Sequence, residues 1–398
     1  MVAAFEAARL GPLTLKNRVI KAATFEGATR DGVVTDRLIA FHQRVAKGGA
    51  AMTTVAYLAV SPEGRTDRRC LHLRPEIVPG LRRLTDMVHG HGVAASAQIG
   101  HAGPVANARS NGARALAPSS GFSPLGTRLH GATTADIARI TEDYRRGAEL
   151  AREAGFDCIE IHLGHNYLLS AFLSPRLNRR RDDFGGDLEN RARLPRQVVR
   201  VVRDAVGDSM AVTAKLNMAD GVPGGLWLDE SVEVARMLEA DGCLDALELT
   251  GGSSLANPMY LFRGEAPRRE FAATLPPAVR LGFRLVGSRF LHDYPFEEAF
   301  FLPYARQFKQ ALTLPLVLLG GITRRATVDG AVAEGFAFVA MARALLREPD
   351  LVDKMRTEAA TESLCVHCNR CMPTIYRGTR CVLVPDPAGG AGPNADAP

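Results

Sequence analysis

Within six residues, His162, His165 and Tyr167 bring two imidazoles and a phenol to one point in the chain. They follow a short apolar run, Cys158-Ile159-Glu160-Ile161, that reads as a buried strand giving way to a loop. Two imidazoles can hold a substrate oxygen and stabilise charge that develops on it, and a phenol can deliver a proton. That is equipment for acting on a polarised double bond. Structural or surface histidines beside a buried aromatic are the competing reading. Metal binding by the pair lacks an obvious third ligand nearby.

A second group suits an anion. Gly320-Gly321-Ile322-Thr323 follows an apolar run and opens a helical pattern. Glycines let a backbone approach a phosphate, and the first turn of a helix supplies N–H groups. Arg343 follows the next apolar run and offers charge-assisted bonds to the same phosphate. Lys215 lies inside another apolar run. It suits the developing negative charge of a flavin ring, or it snorkels to the surface. Gln98, near the end of a further run, pairs a donor with an acceptor and suits the edge of a heterocycle, or it is a satisfied core amide. Four cysteines, Cys365, Cys368, Cys371 and Cys381, crowd near the end of the chain. Four thiolates at such spacing suit a 4Fe-4S cluster or an all-thiolate zinc site. Cys70, Cys158 and Cys243 are scattered and read as packing residues.

These groups need elements to position them. Short apolar runs at 19–23, 51–55, 94–99, 158–161, 212–216, 246–249, 316–319 and 338–341 alternate with helical patterns at 36–47, 77–91, 134–154, 190–206, 229–241, 296–311, 324–334 and 349–362. Thr133 or Thr134 before an acidic turn, and Gly155 after the last turn, mark the ends of the third helix. Continuous apolar strands separated by amphipathic helices indicate a parallel sheet, and eight such units fit an α/β fold of the TIM (β/α)8 barrel type. An open doubly wound sheet is the alternative. In a barrel, the residues above all fall at the C-terminal ends of strands, where reactive groups collect. Residues 251–313 form a long irregular insertion that reads as a lid or binding element.

Composition agrees with a soluble globular enzyme: 46% hydrophobic and 23% charged over 398 residues, with a formal charge of +6. Aromatic residues are not interleaved with the basic ones, so no nucleic-acid partner is expected. The sequence shows neither a signal peptide nor an apolar run long enough to span a membrane, so a cytoplasmic protein with no membrane partner is the expectation.

The motifs Leu13-Thr-Leu-Lys-Asn-Arg-Val19, Ser61-Pro-Glu-Gly-Arg65, Gln98-Ile-Gly-His-Ala-Gly103 and the long stretch from His162 to Arg193 resemble the Old Yellow Enzyme family of FMN-dependent ene reductases. Similarity is greatest to the barrel part of the 2,4-dienoyl-CoA reductase and trimethylamine dehydrogenase branch, over roughly residues 5 to 383. The resemblance implies a TIM barrel with FMN across its mouth. Ala22, Ala23, Thr24 and Phe25 would line the flavin, and Tyr57 would make a further backbone contact. Gln98 would bond the pyrimidine edge and Lys215 would stand near the N1–O2 edge. Gly320, Gly321, Ala342 and Arg343 would hold the phosphate. His162 and His165 would grip the activating oxygen of the substrate, with Tyr167 as proton donor. Phe25 stands where many relatives have Thr, Ser or Cys, and Ala342 where they have Gly. In that branch a similar cysteine group holds a 4Fe-4S cluster, with one more residue before the third cysteine and a longer gap to the fourth.

The expected activity is transfer of hydride from NAD(P)H through FMN to the C=C bond of an α,β-unsaturated carbonyl compound. Alternatives are an oxidative enzyme of the amine dehydrogenase or demethylase type passing electrons to a partner protein, and a flavin electron-transfer protein without small-molecule turnover. A homo-oligomer is compatible with either. The expected division is an FMN-binding barrel over 1–355, a cysteine segment packed on it over 356–384, and a disordered tail over 385–398.

Overall fold

The structure is a computed structural model that describes residues 3–385 apart from 125 and 276. The tail expectation for 386–398 lies outside the described residues. Eight parallel strands close into a barrel: β1 (Val19–Lys21), β2 (Met52–Ala59), β3 (Ala94–Gly100), β4 (Cys158–Leu163), β5 (Ala211–Asn217), β6 (Ala246–Thr250), β7 (Leu316–Leu319) and β8 (Phe338–Met341). Each strand pairs with its neighbours in chain order, and β8 pairs with β1 to close the ring. The open doubly wound alternative is therefore excluded. These strands are buried along almost their whole length because helices cover the outside and side chains fill the inside, which is why they read as continuous apolar runs.

Helices α1 (Asp36–Lys47), α2 (Val78–His89), α3 (Thr134–Glu153), α4 (Leu188–Val206), α5 (Leu228–Ala240), α6 (Leu302–Ala311), α7 (Arg325–Ala333) and α8 (Leu351–Thr357) follow the strands in turn. Their ends have local causes. Thr133 caps α3 in a reciprocal box with Asp136, and Thr35 caps α1 through Leu38 N. Two helices are shorter than their apolar pattern. Helix α6 starts at Leu302 and not near 296, because Ala299 adopts a left-handed φ of 51° and donates its N–H to Gly321 O at 2.9 Å. Helix α8 stops at Thr357, and the chain beyond it returns to Thr323 and Arg324 as an extended segment.

An antiparallel hairpin, Ala8–Leu10 with Leu13–Leu15, lies beneath the barrel. Its Leu10 and Leu15 join Ile20, Met52, Cys158, Val317 and Phe338 in a compact apolar floor. The hairpin and a small three-stranded sheet between Ala115 and Gly131 have no counterpart in the sequence expectation. The insertion after β6 carries helices Met259–Phe262, Arg268–Ala273 and Pro277–Phe290 around Met259, Leu291 and Met372, so the cysteine-rich segment contributes to its core. Among the described residues no helix is long and apolar enough to cross a membrane.

Candidate active site

The turn after β4 builds the reactive group. His162 is the penultimate residue of the strand and is buried. His165 and Asn166 then take left-handed φ values of 60° and 58°, which reverse the chain over one turn. The reversal brings the His165 ring to 5.0 Å from His162 and the Tyr167 ring to 4.5 Å, edge-on. Gly164 permits it, since a Cβ there would lie 3.1 Å from Thr250 and 3.2 Å from Asn217.

Thr250 and Asn217, which no sequence pattern singled out, hold this turn. Thr250 Oγ1 lies 3.0 Å from His165 Nε2, and Asn217 Oδ1 accepts the His165 N–H at 3.0 Å. Asn217 is held in turn by Asp220 and Gly252 O. The tautomer of His165 in which Nε2 accepts from Thr250 leaves its Nδ1–H free to donate. His162 Nδ1 is buried without a hydrogen-bond partner among the described residues. A buried polar atom of this kind is met by a bound ligand or an ordered water.

Both imidazoles are neutral. Burial drives His162 well below the usual histidine range, helped by His165 and Lys215. Burial, with Lys215 behind it, lowers His165 to about 3. The pair therefore offers hydrogen bonds and no formal charge. Tyr57 packs edge-on against Tyr167 at 5.3 Å and donates its hydroxyl to Gly64 O at 3.1 Å. Tyr57 thus supports the Tyr167 ring with its side chain, where the expectation was only a backbone contact. Ala23 and Phe25 pack in the same cluster.

Beneath this layer the barrel interior carries charge. Lys215 is 2% exposed and is flanked by Glu160 and Glu248, each at 2.8 Å. Gln98 Nε2 donates to Glu160 Oε1 at 2.7 Å. Lys21 is fully buried nearby and bonds Ala22 O at 2.6 Å and Thr24 Oγ1 at 3.2 Å. The surface-snorkelling reading of Lys215 is corrected here: a lysine whose strand neighbours supply two carboxylates has no need to reach water. Burial, with Glu160 adding to it, raises Glu248 to about 8, and burial lowers Lys21 to about 8. Register places these groups at one level, with Lys215 opposite Glu248 on β6 and Gln98 opposite Glu160 on β4.

The end of the barrel expected to hold phosphate differs in one respect from that expectation. Gly320 and Gly321 have φ of 111° and 71°, and a Cβ at either would lie 2.5 Å from Phe301 or Phe300. The N–H groups of Thr323 and Arg324 do not face an open site. Glu298 accepts them at 2.8 and 3.1 Å, so its carboxylate caps α7. The N–H groups at this end that Glu298 does not take are those of the glycines and of the start of the helix after β8, with the Arg343 side chain beside them. Ala342 caps that short helix, Arg343–Arg347. The Arg343 guanidinium is turned toward the carbonyls of Phe262 and Arg263 and toward Asn369.

Cys365, Cys368, Cys371 and Cys381 line one enclosed cavity together with Arg343 and Asn369. None of the four is paired in a disulfide. Burial raises Cys371 to about 11, with Arg343 opposing. Among the described residues no group of three or more His, Cys, Asp or Glu side chains converges tightly enough for a single metal ion. Cys70 and Cys158 are buried elsewhere, as packing residues.

Residues 4–246 match the family described as NADH:flavin oxidoreductase / NADH oxidase. The chain is 60% identical over 380 residues to the 4,4'-dithiodibutanoate disulfide reductase of Rhodococcus erythropolis, covering 95% of this chain and 94% of that one. It is 30% identical to a metal reductase of Desulforamulus reducens, covering 94% of this chain but only 52% of that protein. Among solved structures, a 2-naphthoyl-CoA reductase superposes with a TM-score of 0.81 at 23% identity, over 96% of this chain and 57% of the other. The chain thus spans about half the length of the last two and nearly all of the first.

Proposed function

This chain belongs to the NADH:flavin oxidoreductase / NADH oxidase family and is an oxidoreductase of TIM-barrel fold; from that premise we propose that FMN at the barrel mouth carries reducing equivalents from NAD(P)H to a small acceptor held against His162, His165 and Tyr167. The observation that carries the proposal is the neutral imidazole pair, one member with an unsatisfied buried nitrogen, set 4.5 Å from a phenol ring.

The donor set fits FMN. Gln98 offers amide chemistry for the pyrimidine edge, and Ala22, Ala23, Thr24 and Phe25 lie at the C-terminal end of β1 to line the ring. Lys215 offers a cation, shared with two carboxylates, beneath it. Gly320, Gly321, Ala342 and Arg343 offer the phosphate backbone N–H groups and one guanidinium. When bound, FMN supplies a centre that accepts a hydride from NAD(P)H and gives it up to the acceptor. His162 and His165 fix the polar atom of the acceptor by hydrogen bonds that strengthen as charge grows there. Tyr167 gives the proton that completes reduction.

Two acceptor classes use this geometry. An α,β-unsaturated carbonyl compound would place its oxygen between the imidazoles and take the Tyr167 proton at its α-carbon. An organic disulfide would take hydride at one sulfur, break the S–S bond, and receive the Tyr167 proton on the departing thiolate, giving two thiols. The full-length likeness to a disulfide reductase favours the second class. For the cysteines we favour a 4Fe-4S cluster over zinc. Four thiols around one cavity supply the all-thiolate ligand set that such a cluster takes, with zinc as the alternative.

The test uses anaerobically purified protein. NADH and NADPH are each mixed with it, and bleaching of bound flavin is followed. The reduced enzyme is then mixed with 2-cyclohexenone or 4,4'-dithiodibutanoate. Recovery of flavin colour, with two thiols per NAD(P)H for the disulfide, is expected. Protein that stays colourless after reconstitution with FMN, or reduced flavin that neither acceptor reoxidises, would refute the proposal. Iron and sulfide analysis with EPR decides the cysteine site.

A further inference from the structure

The side chain of Arg343 is already held on one side. Its Nη1 donates to Arg263 O at 3.0 Å and to the side-chain oxygen of Asn369, and its Nη2 donates to Phe262 O. A guanidinium carries five N–H groups, so these bonds leave donors on Nε and Nη2, atoms that share one edge of the plane. Such an edge is the fork that takes two oxygens of a phosphate.

Asn369 is the centre of this arrangement. It lies between Cys368 and Cys371 and is 1% exposed. Its amide nitrogen donates to Arg263 O at 2.8 Å and to Glu265 O at 3.0 Å, while its oxygen takes Arg343. Its backbone is left-handed, with φ of 51°, a conformation that asparagine tolerates better than most residues. One buried amide therefore ties the cysteine loop, the 262–265 segment and the arginine after β8 into a single unit. Ordering of the cysteine loop and placement of the arginine cannot vary independently while that amide is in place.

We infer that Asn369 is a positioning residue for cofactor retention: it occupies the Nη1 side of Arg343 so that the Nε–Nη2 edge is kept for the phosphate of FMN. The inference rests on the reading of the barrel mouth as an FMN site. It makes the cysteine segment a determinant of flavin affinity, separately from any electron-carrying role of the cysteines.

Riboflavin, which lacks the phosphate, isolates the effect. The full chain is stripped of flavin, and rebinding of FMN and of riboflavin is measured by quenching of flavin fluorescence. Four proteins are compared with the parent: Asn369→Gly, Asn369→Asp, Arg343→Ala and the double variant Asn369→Gly/Arg343→Ala. Asn369→Gly keeps the left-handed backbone at no cost but removes the bracket. It is expected to lower the preference for FMN over riboflavin about tenfold, with riboflavin affinity within about twofold of the parent. Asn369→Asp retains an acceptor for Nη1 but loses the donor to Arg263 O and Glu265 O, and is expected to keep the preference in part. Arg343→Ala is expected to lose it, with no further loss on adding Asn369→Gly.

Equal weakening of FMN and riboflavin by Asn369→Gly would overturn the inference. So would the same loss of preference with and without Arg343, or a folded Asn369→Asp protein that has lost as much preference as Arg343→Ala. The last comparison stands even if the glycine variant does not fold. A parent protein that binds neither flavin would sink the functional proposal itself. Normal FMN binding by both the parent and Asn369→Gly would sink only the role given to Asn369.

Discussion

Replacing Lys215 with methionine tests whether the barrel interior is held by charge balance. The lysine sits between two carboxylates at 2.8 Å each and is 2% exposed. Methionine fills a similar volume but removes the cation. Glu160 then keeps only the Gln98 amide, and Glu248 loses its cation partner. Breaking a buried pair from one side costs about 3–5 kcal/mol, because the charge left behind has no water to return to. At about 2.1 cal/mol/K per residue, that cost lowers the melting temperature of a chain this long by about 4–6 °C. Burial raises Glu248 to about 8, so it is mostly protonated at pH 7; adding Glu160→Gln to Lys215→Met removes the remaining carboxylate and should recover about half of the loss, so the two substitutions are non-additive. The assay is thermal and urea unfolding of the flavin-free protein at pH 7, with the single variants and the double variant in parallel. A loss below about 1 kcal/mol for Lys215→Met, or further destabilisation on adding Glu160→Gln, would refute the argument that these groups balance one another.

Three further outcomes are expected. Tyr167→Phe should retain FMN and still be bleached by NAD(P)H, while stopped-flow reoxidation by the acceptor slows by about 10²–10⁴-fold. Thr250→Val removes the partner of His165 Nε2, and a roughly tenfold fall in acceptor kcat/KM with unchanged flavin affinity should be seen in steady-state kinetics. Acid should destabilise the fold through His165. Its folded value of about 3 is depressed below the free imidazole, so the unfolded chain binds a proton that the folded one refuses, and stability falls as pH drops from about 6.5 toward 3. His165→Gln should lose less melting temperature than the parent between pH 7 and pH 4.5; an equal loss would mean that this ring carries none of the effect.

Much of the architecture was readable because it is written locally. Eight apolar runs at strand length, separated by amphipathic patterns, favour a closed parallel barrel over an open doubly wound sheet, and all eight strands form and close. The reactive turn was readable for the same reason: His162, His165 and Tyr167 are close in the chain, so one short turn suffices to bring their rings together. The glycine turn after β7 was readable in outline, but its surroundings depend on residues remote in sequence. Glu298 reaches α7 from the long insertion, and Asn369 reaches Arg343 from the cysteine loop. The start of α6 was misplaced because an apolar pattern cannot reveal the left-handed residue that Gly321 O stabilises at Ala299.

Residue types and their spacing along the chain determined the class of fold, the strand ends at which chemistry collects, and the group of imidazoles and phenol, since each of these follows from periodicity or near neighbours. Only barrel closure decided what Lys21, Gln98, Glu160, Lys215 and Glu248 are to one another. They come from five strands, and nothing but the register of neighbouring strands brings them together inside the barrel. Whether a buried lysine is a free cation or half of a neutralised pair depends on partners a whole strand-and-helix unit away, and that distance is closed by the fold alone.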